Sequence, residues 1–205
     1  MTTVETEMHI EGKAADAYFK LRDAASALTE THSIWDILSR KAIDQKVTRS
    51  AAVTAVERTP VTFALDKSDL LSWEQRVPLL RNKVGGDMYV YPGFVLYRAS
   101  RQSFALIDFN EINLRFDLCK FIEDAGYPPD AKIHEYVWEK SNKDGSPDRR
   151  FSQNRQLPAL LYGQLDLSTL SGLHEQYQFS NVDKAVEFCK AWESLSKALD
   201  EVKGE

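Results

Sequence analysis

A run of short strand-like segments separated by tight turns constrains the fold of this 205-residue chain more than any other feature. Between residues 76 and 116, apolar and β-branched residues recur with a period close to two, and turn signals such as Gly85-Gly86 and Pro92-Gly93 separate the segments. Connections this short force neighbouring strands to pair antiparallel. The pattern therefore predicts a β-meander with strands at Arg76–Asn82, Met88–Tyr91, Phe94–Arg98, Ser103–Phe109 and Ile112–Phe116.

The segment before the meander predicts helices followed by strands. Residues 1–13 have no helical stripe and form either a loose tail or an edge strand. Apolar residues at three- and four-residue steps predict an amphipathic helix over Ala14–Leu28, and a second helix is expected at Ile34–Lys41. These helices either cover the core or dock on another chain. From Lys46 onward, β-branched runs predict two further strands, with Pro60 at a turn or edge.

The segment after the meander predicts a short helix, three strands and a long closing helix. The short helix is expected around Leu118–Ile122, and the strands at Lys132–Lys140, Ala159–Ser168 and Leu173–Phe179. An apolar stripe from Val182 to Val202 then predicts an amphipathic helix with Trp192 and Leu195 buried. The whole pattern indicates an α+β fold in which a curled sheet or open barrel is closed by a helix.

Composition and motif spacing exclude several functional classes. The net charge of −5 argues against a nucleic-acid coat protein, and the two cysteines and four histidines never fall at zinc-ligand spacings, so no metal and no cofactor is expected. The polar, acidic N-terminus and the lack of a long apolar run predict a cytoplasmic protein with no membrane span. Because no GxSxG, HExxH or Walker-type motif occurs, we expect a protein that is not an enzyme.

The polar stretch Asn142–Pro158 lies between two predicted strands and is the main candidate for a functional surface. It is either a structural clasp, whose polar groups hydrogen bond to one another, or a recognition surface. In the first interpretation the clasp residues are Asp144, Asp148 and Phe151, with Phe151 facing inward and Asp148 paired with Arg149 or Arg150. In the second, exposed side chains bind an acidic peptide, a lipid headgroup or nucleic acid. The candidate binding residues are Arg149, Arg150, Asn154 and Arg155, with Arg155 expected to be the donor left free, together with Arg98 and Arg101 at the 100–102 tip.

Several motifs resemble those of an uncharacterised family of bacterial cytoplasmic domains. The most specific is the stretch DGSPDRRFSQNRQLP at Asp144–Pro158, and the resemblance covers Ser33–Phe188, about three quarters of the chain. The sequence departs from the family pattern at Gly93, where the family has Asp, and at Cys119-Lys120, where it usually reads Arg. The other matching motifs are Ile34-Trp35, Asp44 with Lys46, Glu57-Arg58, Tyr89 with Tyr91-Pro92, Lys120–Asp124, Asp130-Ala131, Leu161–Gly163, Ser171–Leu173 and Ser180-Asn181.

The meander also resembles the core of pleckstrin-homology-like (PH-like) and GRAM-like domains. That resemblance implies an α+β fold in which an antiparallel β-meander curls into a PH-like open barrel, with N-terminal helices and a C-terminal capping helix. The implied domains are residues 1–45, a tail with helices, and residues 46–205, the barrel with its closing helix. The implied function is a non-catalytic binding or scaffolding module whose partner is another protein or a second copy. An anion-binding domain for nucleic acid or lipid phosphate is the alternative, and an unrecognised hydrolase is the third.

Overall fold

The chain folds into an α+β structure with two helices and antiparallel sheets. A computed structural model describes residues 4–5, 10–42, 54–100 and 102–203. Helix α1 spans Gly12–Thr29 and helix α2 spans Val182–Lys203, and a 3-10 turn spans Phe109–Glu111. The strands are β1 (Val4–Glu5), β2 (Ile34–Ala42), β3 (Thr54–Val61), β4 (Phe63–Asp66), β5 (Leu71–Ser72), β6 (Val77–Leu80), β7 (Asp87–Tyr91), β8 (Phe94–Arg98), β9 (Phe104–Asp108), β10 (Asn113–Ile122), β11 (Lys132–Trp138), β12 (Gln156–Ser168) and β13 (His174–Phe179).

Two predicted helices are strands in the structure. The segment expected to be helical at Ile34–Lys41 is β2, which pairs antiparallel with β13 on one side and β3 on the other. The stretch around Leu118–Ile122 is the second half of β10, which pairs with β12 over ten residues. In both places apolar residues at helical spacing suggested a helix, but long-range strand pairing decides the conformation. The predicted helices at each end of the chain and the first four strands of the predicted meander are confirmed. The fifth predicted strand, Ile112–Phe116, is instead part of β10, which pairs with β12 in the other sheet.

The strands form two main sheets. The meander gives a five-stranded sheet in the order β4-β6-β7-β8-β9, and the second sheet has the order β10-β12-β13-β2-β3, with β11 paired to the first half of β12. The chain passes from one sheet to the other between β3 and β4, and again between β9 and β10. No strand pairing joins these two sheets among the described residues, so they do not form a closed barrel there. The predicted domain boundary at residues 45 and 46 lies outside the described residues and stays a prediction.

The main core lies where the two sheets and both helices meet. Phe63 of the five-stranded sheet contacts Tyr177 and Phe179 of the six-stranded sheet, with ring centroids 5.0 and 5.6 Å apart. The Tyr18 hydroxyl of α1 donates a hydrogen bond to the Val90 carbonyl oxygen at 3.1 Å. On α2, Trp192 is buried and stacks on Phe109 at 4.3 Å, which confirms the predicted burial of this helix face.

The Gly85-Gly86 turn has a structural explanation. Gly85 has a φ of +109°, a conformation that favours glycine. A Cβ on Gly86 would lie 2.7 Å from the backbone carbon of Arg98, so the close packing of this turn on β8 requires a residue without a side chain. The Gly86 amide also donates to the Tyr97 hydroxyl at 2.8 Å. These contacts account for both glycines.

Candidate functional site

The loop between β11 and β12, residues 139–155, is held closed at its base by a continuation of the strand ladder. The Glu139 amide donates to the Arg155 carbonyl at 2.9 Å. The Asn154 side chain then takes the place of a strand backbone in the ladder. Its Oδ1 accepts from the Lys140 amide at 3.0 Å and its Nδ2 donates to the Lys140 carbonyl at 2.7 Å. Asn154, a predicted binding residue, therefore has a structural part in closing the loop.

The tip of the loop is a small hairpin stabilised by Asp144. Asp144 Oδ1 accepts from the Ser146 hydroxyl at 2.7 Å and from the Ser146 amide at 3.1 Å. These hydrogen bonds lower the pKa of the Asp144 carboxyl. Gly145 has a φ of +83°, and an isolated bridge pairs Ser141 with Pro147. The tight turns predicted from this part of the sequence are present.

Asp148 and Arg150 form the predicted local ion pair. The buried Asp148 accepts from Arg150 through both carboxylate oxygens, at 2.8 Å from Nε and 2.6 Å from a terminal nitrogen, and also from the Arg150 amide at 3.1 Å. The pKa of Arg150 is raised by these hydrogen bonds. Phe151, however, is 38% exposed, so the prediction that it faces inward is wrong. The loop closes through the polar contacts of Asp148, and they leave the Phe151 ring at the surface.

Replacing Asp148 with alanine should lower the free energy of unfolding by about 1–3 kcal/mol, because several donors of the loop lose a buried acceptor. Thermal melting followed by circular dichroism measures the effect. Arg149→Ala is the matched control, since Arg149 is exposed and makes no ion pair with any residue that the structure describes. Equal melting temperatures for Asp148→Ala and the parent would show that the clasp does not stabilise the fold.

Most of the candidate arginines are already paired with carboxylates. Arg155, the donor expected to be left free, contacts Glu139 at 2.9 Å, and the hydrogen bond from Arg155 lowers the pKa of Glu139. The prediction that Arg155 is free is therefore wrong. Arg98 contacts Asp69 at 2.6 Å, and Arg101 lies outside the described residues. Pairing within the chain neutralises much of the positive charge that an anion site would need.

A shallow depression of about 350 Å³ lies beside the loop. Its lining includes the exposed Phe151 ring and the Arg150 side chain, and the rest is polar. Small-molecule sites are lined mainly by apolar and aromatic groups that bury most of the ligand. This depression instead has the composition of a protein surface. The residues that line it are Glu139, Lys140, Arg150, Phe151, Ser152, Gln153 and Asn154.

A second cluster, which sequence reasoning did not identify, lies on the face of the six-stranded sheet opposite the helices. The Arg58 guanidinium lies between two aromatic rings, 4.2 Å from the Trp35 centroid and 4.0 Å from the Phe121 centroid. Glu123 accepts from Arg58 at 2.5 Å and from the Tyr162 hydroxyl at 2.9 Å. We call these five residues the Arg58 cluster. Burial and the neighbouring Glu123 raise the pKa of the Tyr162 hydroxyl.

The Arg58 cluster shows that the six-stranded sheet is strongly curled. Arg58 belongs to β3 and Glu123 directly follows β10, and these two strands are at opposite ends of the strand order. In a flat sheet four strand spacings would separate them by roughly 19 Å. Their direct contact requires the sheet to bend around the buried side chains of Leu160 and Tyr162. The residues of the Arg58 cluster belong to separate short segments of the sequence, and only the fold brings these segments together.

Exposed apolar side chains continue this face of the sheet along β11. Directly opposite residues of an antiparallel pair project to the same face. Ile133 is opposite Leu160 and Tyr136 is opposite Pro158, so both lie on the face of the Arg58 cluster. Leu160 is fully buried, whereas Ile133 is 38% exposed and Tyr136 is 58% exposed. We call the surface formed by Ile133, Tyr136, Trp138 and Pro158 the arm surface.

A group of buried polar side chains lies at the junction of the two sheets. Glu175 and Asp36 are both buried, and the Tyr97 hydroxyl contacts Glu175 at 3.4 Å. Asp36 accepts from the Lys83 amide at 2.8 Å. Burial, aided by the negative charge of Asp36, raises the pKa of Glu175 to about 7. None of these groups lines the depression beside the loop, so the carboxylates and the loop do not form one site.

Among the described residues, no group of three or more histidine, cysteine, aspartate or glutamate side chains is arranged to hold a metal ion. No helix in the described part of the chain is both long enough and apolar enough to cross a membrane. Comparisons of the chain with protein-family models, with curated proteins and with solved structures give no match.

Proposed function

We propose that the chain is a non-catalytic module of the bacterial cytoplasm that binds another protein through the arm surface. The observation that supports this most is the exposure of Tyr136 and Ile133 beside the buried residues of the same sheet face. Large apolar side chains that continue a buried row into solvent are typical of protein-binding surfaces. Tyrosine is also enriched in such interfaces, because its ring is apolar and its hydroxyl can hydrogen bond at the rim.

The pairing of the arginines supports protein binding over phosphate binding. Arg98, Arg150 and Arg155 each contact a carboxylate of the same chain. A phosphate ligand would have to displace those carboxylates and would lose part of the electrostatic gain. The exposed Arg149 and Phe151 lie on the loop that follows β11 and would extend the arm surface with one charge and one ring.

The non-catalytic part of the proposal rests on where the titratable groups lie. Glu175, the carboxyl whose pKa is raised, is buried with Asp36 between the sheets and is hydrogen bonded to Tyr97. Acid–base catalysis needs such a group within hydrogen-bond reach of a substrate.

We infer that the two main sheets together form a PH-like open barrel. Two features support this assignment. The chain connects the sheets at two places, from β3 to β4 and from β9 to β10, as an incompletely closed barrel requires. Helix α2 packs against one of these corners, where the Asn110 side chain donates to the Ser196 carbonyl at 3.3 Å and to Asp200 at 2.5 Å.

Affinity capture from cells that express the protein, followed by quantitative mass spectrometry, tests the proposed function. We expect Tyr136→Glu to reduce capture of the partner at least tenfold, because a charge replaces an interface aromatic. Leu118→Glu is the matched control: Leu118 is 55% exposed on the same sheet but is opposite Gly163, on the helix-facing side. This variant should capture as much partner as the parent.

Salt dependence separates protein binding from anion binding in the same experiment. Capture through an apolar surface should change little between low and moderate salt, whereas phosphate binding should weaken steeply. If Tyr136→Glu captures the same proteins as the parent in the same amounts, the arm surface is not the binding site. If captured nucleic acid or lipid disappears with salt and with Arg149→Ala, the anion-binding function replaces the proposed one.

A further inference from the structure

The strand β9 forms one edge of the five-stranded sheet and is unusually apolar for an exposed edge. Among the described strands it pairs with β8 alone. Phe104 is 51% exposed and Leu106 is 59% exposed, and Ala105 between them is exposed as well. Proteins normally protect such edges with charges, prolines or bulges, because the unpaired backbone groups can bind another strand.

Leu106 extends a row of apolar side chains that is otherwise buried. The strand registers place Leu79 opposite Tyr89, Tyr89 opposite Leu96, and Leu96 opposite Leu106. Leu79 and Leu96 are fully buried and Tyr89 is 7% exposed, so burial stops abruptly at β9. A further strand beyond β9 would continue the row and remove the exposed apolar surface from water.

The backbone of β9 presents defined hydrogen-bonding groups at this edge. The Ser103 carbonyl accepts from the Ala99 amide, and the Phe109 amide donates to the Gly93 carbonyl, so odd-numbered residues direct their backbone groups toward β8. Backbone groups alternate in direction along a strand. The N–H and C=O groups of residues 104 and 106 therefore point away from the sheet, toward any added strand.

These features make β9 complementary to itself in one antiparallel register. Two-fold pairing centred on Ala105 places Phe104 opposite Leu106 of the second copy, and Leu106 opposite its Phe104. Both pairs lie at outward-pointing backbone positions, so each can exchange two hydrogen bonds. Shifting the register by two residues in either direction would place one of these side chains opposite Gln102 or Asp108 instead. The small Ala105 side chains would meet at the centre.

We propose that β9 pairs antiparallel with β9 of a second copy of the chain, giving a two-fold dimer with a continuous ten-stranded sheet. The occupant is a second copy because the strand supplies both halves of each apolar pair, as an isologous interface requires. Cross-strand pairs of an aromatic and an aliphatic side chain are among the more stabilising ones in sheets. The dimer uses a different strand from the arm surface, so it goes beyond the proposed partner binding.

Sedimentation and light scattering of the full chain measure the assembly directly. We expect the mass to rise with concentration from 23.4 kDa to twice that value. A variant with Phe104→Lys and Leu106→Lys should keep the monomer mass, because like charges would face each other across the interface. The variant with Phe104→Glu and Leu106→Glu should also be a monomer. An equimolar mixture of the two should recover the dimer mass, which also shows that both variants fold.

A parent chain that keeps the monomer mass up to high concentration would overturn the proposal. A dimer that persists unchanged in the lysine variant would overturn it as well, because association would then use another surface. A dimer in which β9 pairs with a different strand is detected by the mixing experiment, since complementary charges at positions 104 and 106 would then not restore the doubled mass.

Cysteine cross-linking tests the register. In the proposed pairing the two Ala105 residues are a directly opposite, non-hydrogen-bonded pair, with Cα atoms about 4.5 Å apart. Ala105→Cys should form an intermolecular disulfide on mild oxidation, since this separation is within disulfide range. Ser103→Cys is the matched control, because the two residues at position 103 would be roughly 14 Å apart. Equal cross-linking of both variants, or none above the parent, would overturn the proposed register.

Discussion

Replacing Trp192 with alanine is expected to lower the free energy of unfolding by about 3–5 kcal/mol, as truncations of large core aromatics do. The Trp192 ring is 3% exposed, stacks on Phe109 at 4.3 Å and contacts Phe188 at 5.9 Å. Its removal leaves a cavity between α2 and the 3-10 turn that the surrounding side chains can fill only in part. Because this turn connects the two sheets, the cavity lies at a corner of the fold that cannot easily collapse.

Chemical denaturation measures the change in free energy of unfolding caused by Trp192→Ala. In thermal melting, the same change should lower the melting temperature by roughly 6–20 °C for a chain of this size. Lys197→Ala is the matched control on the same helix, since Lys197 is exposed. It should change the free energy of unfolding by less than about 0.5 kcal/mol. A loss below about 1 kcal/mol for Trp192→Ala would mean that α2 contributes little to the stability of the core.

The elements that could be predicted from sequence are those whose signals are local. The Gly85-Gly86 and Pro92-Gly93 turns separate short alternating strands, and both helices at the ends have stripes that match their buried faces. The Asp148–Arg150 pair could also be predicted, because a short acidic side chain in a tight turn bonds to donors two residues away.

The errors occurred where contacts between distant residues decide the structure. The segment Ile34–Ala42 is a strand because β13 and β3 pair with it from both sides. β3 is the next strand along the chain, but β13 is far away in the sequence. The exposure of Phe151 depends on the three-dimensional path of the loop, which turn chemistry does not determine. Likewise, Arg58 and Glu123 are 65 residues apart, and no spacing rule relates them.

Glu175 is expected to make the stability of the protein depend on pH. Its pKa of about 7 in the folded protein lies above the ordinary value of 4.5, chiefly because the carboxyl is buried. Between these two values the folded state binds more protons than the unfolded state, so stability falls as the pH rises through this range. The groups that act on the Glu175 carboxyl from other strands are Asp36 of β2 and the Tyr97 hydroxyl of β8, and Tyr177 lies two residues further along β13. Its charged form therefore has no cation beside it among these neighbours.

Glu175→Gln should remove this dependence. Glutamine keeps the oxygen that accepts from the Tyr97 hydroxyl and has no charge to bury. We expect the variant to exceed the parent by roughly 1–3 kcal/mol in free energy of unfolding at pH 8, because the shift of Glu175 corresponds to at most about 1.4 kcal/mol per pKa unit and solvent screening reduces it. Near pH 5, where the parent carboxyl is protonated, the two proteins should be nearly equal.

Urea denaturation at several pH values between 5 and 8 checks this expectation. The parent should lose stability over that range relative to Glu175→Gln, and the difference between them should grow mainly between pH 5 and pH 7. Glu111→Gln is the matched control, because Glu111 is exposed on the 3-10 turn and should give a curve parallel to that of the parent. If Glu175→Gln and the parent keep a constant difference at every pH, Glu175 is ionised in the folded protein throughout. The carboxyl would then have to be reached by water or by a cation that compensates for Asp36.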